Sequence, residues 1–141
     1  MDRLLPGADQ CPAPQPRNIL DAHHHFWDRG TGHYPWLSEA NDFFLGDYAV
    51  LRQGNRMPAD YLAAAMPHQI VGTVHIEAER ERSDQLGETR WLTEMHIATG
   101  LPSAIVAHAS FDAPNCEEML LAHLESPLVR GIRSMGHHGG R

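Results

Sequence analysis

The chain has 141 residues, enough for one domain with a modest core, and its 42% hydrophobic and 21% charged content excludes global disorder. The formal net charge is -7 and lysine is absent, which argues against a nucleic-acid partner, since phosphate binding needs clustered cations. No apolar run reaches membrane-spanning length, the N-terminus lacks an apolar signal core, and Cys11 and Cys116 make neither a disulfide framework nor a CxxC site, so a soluble cytoplasmic protein is expected.

Residues 1–17 are rich in proline and read as a disordered leader. Asn18 to His23 then reads as a short buried strand. A long aromatic loop follows, through Trp27, Tyr34, Trp36, Phe43, Phe44 and Tyr48. Pro58 to Met66 predicts a helix, with proline early where its missing N–H costs least. Ile70 to Ile76 has the β-branched density of a strand. The Arg80, Arg82 and Arg90 cluster is interleaved with acids and reads as solvated helix surface.

A helix is predicted from about Gly87 to Ala98, with Leu86, Trp91, Leu92 and Met95 as its apolar stripe and Gly100 and Pro102 ending it. Ser103 to Ala107 is a third strand, Pro114 to Leu124 a third helix with Glu117 and Glu118 in its first turn, and Leu128 to Ile132 a fourth strand. Alternating strands and helices imply a parallel sheet of right-handed βαβ units. No GxGxxG follows the first strand, which removes the main support for a dinucleotide fold. A small open sheet and part of a (β/α)8 barrel both fit the pattern.

Eleven histidines are unusual, and three of them are consecutive at the end of the first strand. Side chains alternate along a strand, so His23 and His25 share one side and His24 faces the other. Two imidazoles so spaced can meet one divalent ion; three surface histidines in a loop is the plain alternative. Asp21 shares the parity of the pair and could orient a ligand, or be a strand-end carboxylate without a metal role. By the same parity His75, Glu77 and Glu79 lie together. Glu77 could bind a metal, hold a water or cap the next segment; Glu79 could be a solvated acid, and His75 a satisfied core histidine. His108 ends the third strand and Arg133 the fourth. An arginine there suits a substrate carboxylate, with a structural salt bridge as the alternative for Arg130 and Arg133. All four strands thus end in polar or ionisable residues, at the end of the sheet where α/β active sites lie.

The stretches Ile19–Asp28, Tyr34–Leu37, Gly72–Glu79, Glu88–Leu92 and Val129–Arg133 resemble the amidohydrolase-related family of TIM-barrel metal-dependent hydrolases. Within that family the resemblance is to the lactonase branch, which includes L-fuconolactonase and sulfomuconolactone and pyrone-dicarboxylate lactonases. It covers Asn18 to about Met135, and implies an α/β fold that is the N-terminal half of a (β/α)8 barrel. The expected domain is 18–135, followed by a flexible Gly/His tail, 136–141, containing His137 and His138.

The resemblance implies that His23 and His25 are metal ligands, with zinc, manganese or no ion in different members of the branch. It implies that Glu77 and Arg133 line the substrate site; His108, by its place at the end of the third strand, stands near the same rim. The substrate implied is a lactone or related cyclic ester of a carboxylated or sugar-derived small molecule. The aspartate that serves the family as base, on strand eight, has no counterpart here, and a full barrel needs about 250 residues. A truncated hydrolase, a half-barrel active only as an oligomer, and a non-catalytic metal-binding or interaction module are the readings that follow. Open strand edges favour self-association in all three.

Overall fold

The computed structural model describes residues 15–38 and 49–135. The leader up to residue 14, Phe43, Phe44, Tyr48 and the tail 136–141 lie outside the described residues. The strands are β1 (Asn18–His24), β2 (Gln69–Ile76), β3 (Ala104–His108) and β4 (Val129–Arg133). The helices are α1 (Pro35–Ser38), α2 (Pro58–Ala65), α3 (Gln85–Thr99) and α4 (Cys116–His123), with a 3-10 turn over Arg82–Asp84 ahead of α3. The short α1, inside the aromatic loop, is the helix that the sequence reading lacks.

All strand pairs are parallel, and the sheet order is β1-β2-β3-β4. That order separates the two architectures. A doubly wound open sheet reverses direction at a switch point, whereas a barrel arc keeps adding strands on one side. The fold is a four-stranded parallel α/β arc with flanking helices, as half of a (β/α)8 barrel has.

The helix side of this arc is packed. Phe26, Leu92, Met95, Ile105, Ala107 and Leu128 form its core, joined by Tyr61, Trp91 and Ile132. Glu88, Leu92 and Met95 are buried at positions i, i+4 and i+7 of α3, which is one helical face. Gly100 ends α3 in the left-handed region at φ 80, donating its N–H to the His96 carbonyl at 2.8 Å. Val74, Ile76 and Val106, alternating with these buried strand residues, are only half-buried.

Two sequence expectations change here. β1 is largely exposed rather than buried, with Leu20 at 66%; it is an outer strand of the sheet, and β2 is its one neighbour among the described residues. Arg80 is no solvated helix residue: it precedes the 3-10 turn, its side chain is 8% exposed, and it ties Asp84 to the Thr31 carbonyl. The aromatic loop forms a second small core, Trp27, Tyr34, Leu37 and Ala78. Backbone bonds between Trp27 and Arg56 fasten that loop near α2.

Candidate functional site at the strand ends

The end of β1 carries the densest chemistry. His23 Nε2 and His25 Nε2 stand 3.2 Å apart. Two nitrogens on one tetrahedral zinc, each at about 2.0–2.1 Å, would be about 3.3–3.4 Å apart. His25 Nδ1 lies 2.8 Å from the Ile76 carbonyl oxygen. A carbonyl can only accept, so the ring proton sits on Nδ1 and Nε2 keeps its lone pair. A backbone carbonyl that fixes the tautomer in this way is one of the usual partners of a metal-ligating histidine. Burial holds the pKa of His25 below its ordinary value, which favours the neutral ring a ligand needs. The donor chemistry therefore fits two ligands of a metal. Among the described residues no group of three or more His, Cys, Asp and Glu side chains is arranged around one ion.

His24 turns to the other side, with its ring 4.3 Å from that of Phe26 and 5.1 Å from that of Tyr61. Asp21 goes with it, contrary to the parity reading. The register slips between Asp21 and His24: these align with Thr73 and His75, so three residue steps on β1 match two on β2. The irregularity brings Asp21 round to accept the Tyr61 hydroxyl at 2.7 Å; its other oxygen takes the His23 backbone N–H at 3.0 Å. Asp21 thus holds the strand end, with one oxygen on the His23 backbone and the other on Tyr61 rather than on the ring of His23 or His25.

Parity also fails beyond Ile76, where β2 ends. His75 is fully buried and faces α3, with Nε2 at 3.2 Å from Glu88 Oε1. Glu77 instead meets Arg133 from β4: Arg133 Nε donates to Glu77 Oε1 at 2.7 Å, and Nη2 donates to the Glu77 carbonyl at 2.9 Å. The second carboxylate oxygen accepts the Glu79 N–H at 2.9 Å. Glu77 is 1% exposed, and both its oxygens are engaged. Glu79 is exposed, with its backbone in the left-handed region at φ 55. The two residues expected to line a substrate site are therefore bonded to each other, leaving Arg133 Nη1 outside those bonds.

His108 is 6% exposed, and its Nδ1 has no partner among the described residues. Its Nε2 lies 3.4 Å from the Ser110 hydroxyl. It lines a cavity of about 220 Å³ together with Trp36, Glu77, Glu79, Arg80 and Arg82. A larger hollow of about 580 Å³ opens beside His25, walled by Phe26, Trp27, Trp36 and Tyr61.

Two buried residues escape the sequence reading. Glu88 sits on the buried face of α3, and its place four before Leu92 and seven before Met95 is the available signal. His123 of α4 is fully buried: Nε2–H donates to the His108 carbonyl at 2.9 Å, and Nδ1 accepts the Thr89 hydroxyl at 2.9 Å. Nothing in the spacing of α4 distinguishes it.

Among the described residues no helix is long and apolar enough to cross a membrane. No family model matches the chain. It is 35% identical over 122 residues to the uncharacterized protein y4mH of Sinorhizobium fredii (strain NBRC 101917 / NGR234), covering 85% of this chain and 41% of that protein. Its structure resembles Amidohydrolase 2 from Bifidobacterium longum subsp. infantis, with a TM-score of 0.56 and 23% identity, over 86% of this chain and 42% of that one. The chain thus spans about two fifths of each, and the structural likeness shows that the fold is part of the one that an amidohydrolase uses.

Proposed function

We propose that this chain carries the strand-one part of a metal-dependent hydrolase site of the amidohydrolase type, on a cytoplasmic protein acting on a lactone or related cyclic ester. The observation that carries the proposal is the His23–His25 pair, with Nε2 atoms 3.2 Å apart and the His25 tautomer set by the Ile76 carbonyl. The fold shared with an amidohydrolase supports it. A bound divalent ion, zinc or manganese, would supply a Lewis acid for the ester carbonyl or an acidified water.

In this proposal the remaining residues bind and orient. Arg133 offers Nη1 to a carboxylate on the substrate, and Glu77 holds the guanidinium in place through its Nε edge. His108 forms part of the wall of the neighbouring cavity beside Glu77 and Arg80, with its Nε2 3.4 Å from the Ser110 hydroxyl. Zinc or manganese titration, followed by hydrolysis assays on γ-lactones with and without a carboxylate, tests this. Metal binding and turnover should both fall to background in a His23→Ala, His25→Ala double variant; equal activity in wild type and variant would contradict the proposal. Metal uptake without turnover would favour a binding module.

A second reading, a working site assembled from two copies, is favoured by the two-donor site among the described residues. Exposed Leu20 on β1 and half-buried Val74 and Ile76 give such an association apolar surface to bury. Light scattering should then find dimers or larger species. A monodisperse monomer that melts cooperatively would count against it.

A further inference from the structure

Resting on the metal-pair reading above, we propose that Glu88, on the buried face of α3, is a positioning residue that sets the tautomer and direction of His25. One carboxylate oxygen does this from two sides. Glu88 Oε1 accepts from His75 Nε2 at 3.2 Å and from the Ala78 backbone N–H at 2.9 Å. His75 Nδ1 in turn accepts the Phe26 backbone N–H at 3.1 Å. Phe26 directly follows His25, so this chain of bonds fixes the peptide carrying the ligand. Ala78 lies two residues past Ile76, whose carbonyl takes the His25 ring proton at 2.8 Å. Glu88 therefore anchors both the backbone that bears His25 and the segment that orients its ring.

The proton count in this relay has a single solution. A backbone N–H can only donate, so His75 Nδ1 carries a lone pair and the ring proton lies on Nε2, pointing at Glu88. Glu88 is 4% exposed and His75 fully buried, so water is poorly placed to substitute for either bond. Burial keeps His75 neutral, which agrees with one donor and one acceptor on the ring. An acceptor oxygen is what the relay requires at Glu88, and an amide oxygen would serve the same two donors.

The test reads imidazole tautomers by long-range proton–nitrogen NMR on the full chain, with zinc ion titrated separately. Wild type should show His75 protonated at Nε2 and His25 at Nδ1. Glu88→Gln should keep both tautomers and near-wild-type zinc affinity. Glu88→Leu should shift His25 towards the Nε2–H tautomer and weaken zinc binding by about 10-fold, the lower end of the loss of an outer partner, since Glu88 acts on His25 through the backbone at Phe26 and Ala78. A folded Glu88→Leu chain in which His25 stays protonated at Nδ1 would overturn the proposal. Should that variant not fold, wild type decides: a His75 Nδ1–H tautomer could not accept the Phe26 N–H and would overturn it equally. Wild type that binds no zinc, yet shows both tautomers and their shift in Glu88→Leu, would remove the metal reading while leaving the positioning role intact.

Discussion

The histidines of the helix side and those of the strand ends do opposite things with the same ring. His75 and His123 are fully buried, and every ring nitrogen has a partner: Glu88 and Phe26 for one, the His108 carbonyl and Thr89 for the other. His23 and His25 instead aim Nε2 at each other, and His108 keeps a buried Nδ1 without a partner among the described residues. A buried polar atom lacking a hydrogen bond costs about 1–3 kcal/mol, so a fold does not leave one unpaired without a reason. His75 and His123 fasten layers together, whereas the Nε2 atoms of His23 and His25 converge on one another at the strand end. Convergence of two nitrogens, rather than histidine count or a spare nitrogen, marks the candidate site, since His24, turned away from the pair, also has both ring nitrogens without partners among the described residues.

The largest expected effect comes from the pair that borders both regions. Arg133→Met leaves Glu77, 1% exposed, without its cation, and should cost about 3–5 kcal/mol in urea unfolding. A loss below about 1 kcal/mol would mean that the pair is a rim contact and that Arg133 is free for other work.

His123→Leu comes next. It strands the His108 carbonyl and the Thr89 hydroxyl in the buried layer, and should destabilise by about 2–3 kcal/mol while leaving zinc binding by the full chain unchanged. A change in zinc affinity instead would erase the division between fastening and ligand-bearing histidines.

Acidification probes the buried set together. Burial lowers the pKa of His24 from 6.5 to about 4 and that of His75 to about 3, so the unfolded chain binds more protons between those values and 6.5. Stability therefore falls as pH drops below 6.5. Glu88 works in the other direction: burial raises its pKa from 4.5 to about 7, so its contribution is complete below 4.5 and is lost as pH rises through about 7. Two rings outweigh one carboxyl. Thermal melts should show a net loss of about 1–2 kcal/mol between pH 6.5 and 5, with the fall steepest near pH 4.5, where Glu88 opposes less and His24 is still mostly neutral in the fold. A melting temperature independent of pH over that range would show that these rings are not held neutral by the fold.

The element order, the parallel sheet and the placement of His23 and His25 on one side were legible because they follow from local periodicity and strand alternation. The departures have identifiable physical causes. Asp21 turned to Tyr61 because of a register slip that alternation cannot reveal, and Glu77 parted from His75 because the strand ends at Ile76. The exposure of β1 depends on which strand is outermost, a tertiary fact. Glu88 lay within reach of the sequence on the apolar stripe of α3. His123 did not, since its partners come from β3 and α3.

The smallest expected stability change belongs to the strand-end pair itself. His23 is exposed and His25 half-buried, so replacing both with alanine should cost at most about 1 kcal/mol. The same variant carries the most direct test of the account: calorimetric titration of zinc into the full chain, wild type against His23→Ala, His25→Ala. The pair predicts saturable uptake by wild type that disappears in the double variant, although nine histidines remain of the eleven. Undiminished uptake by the variant, or none by wild type, would contradict it.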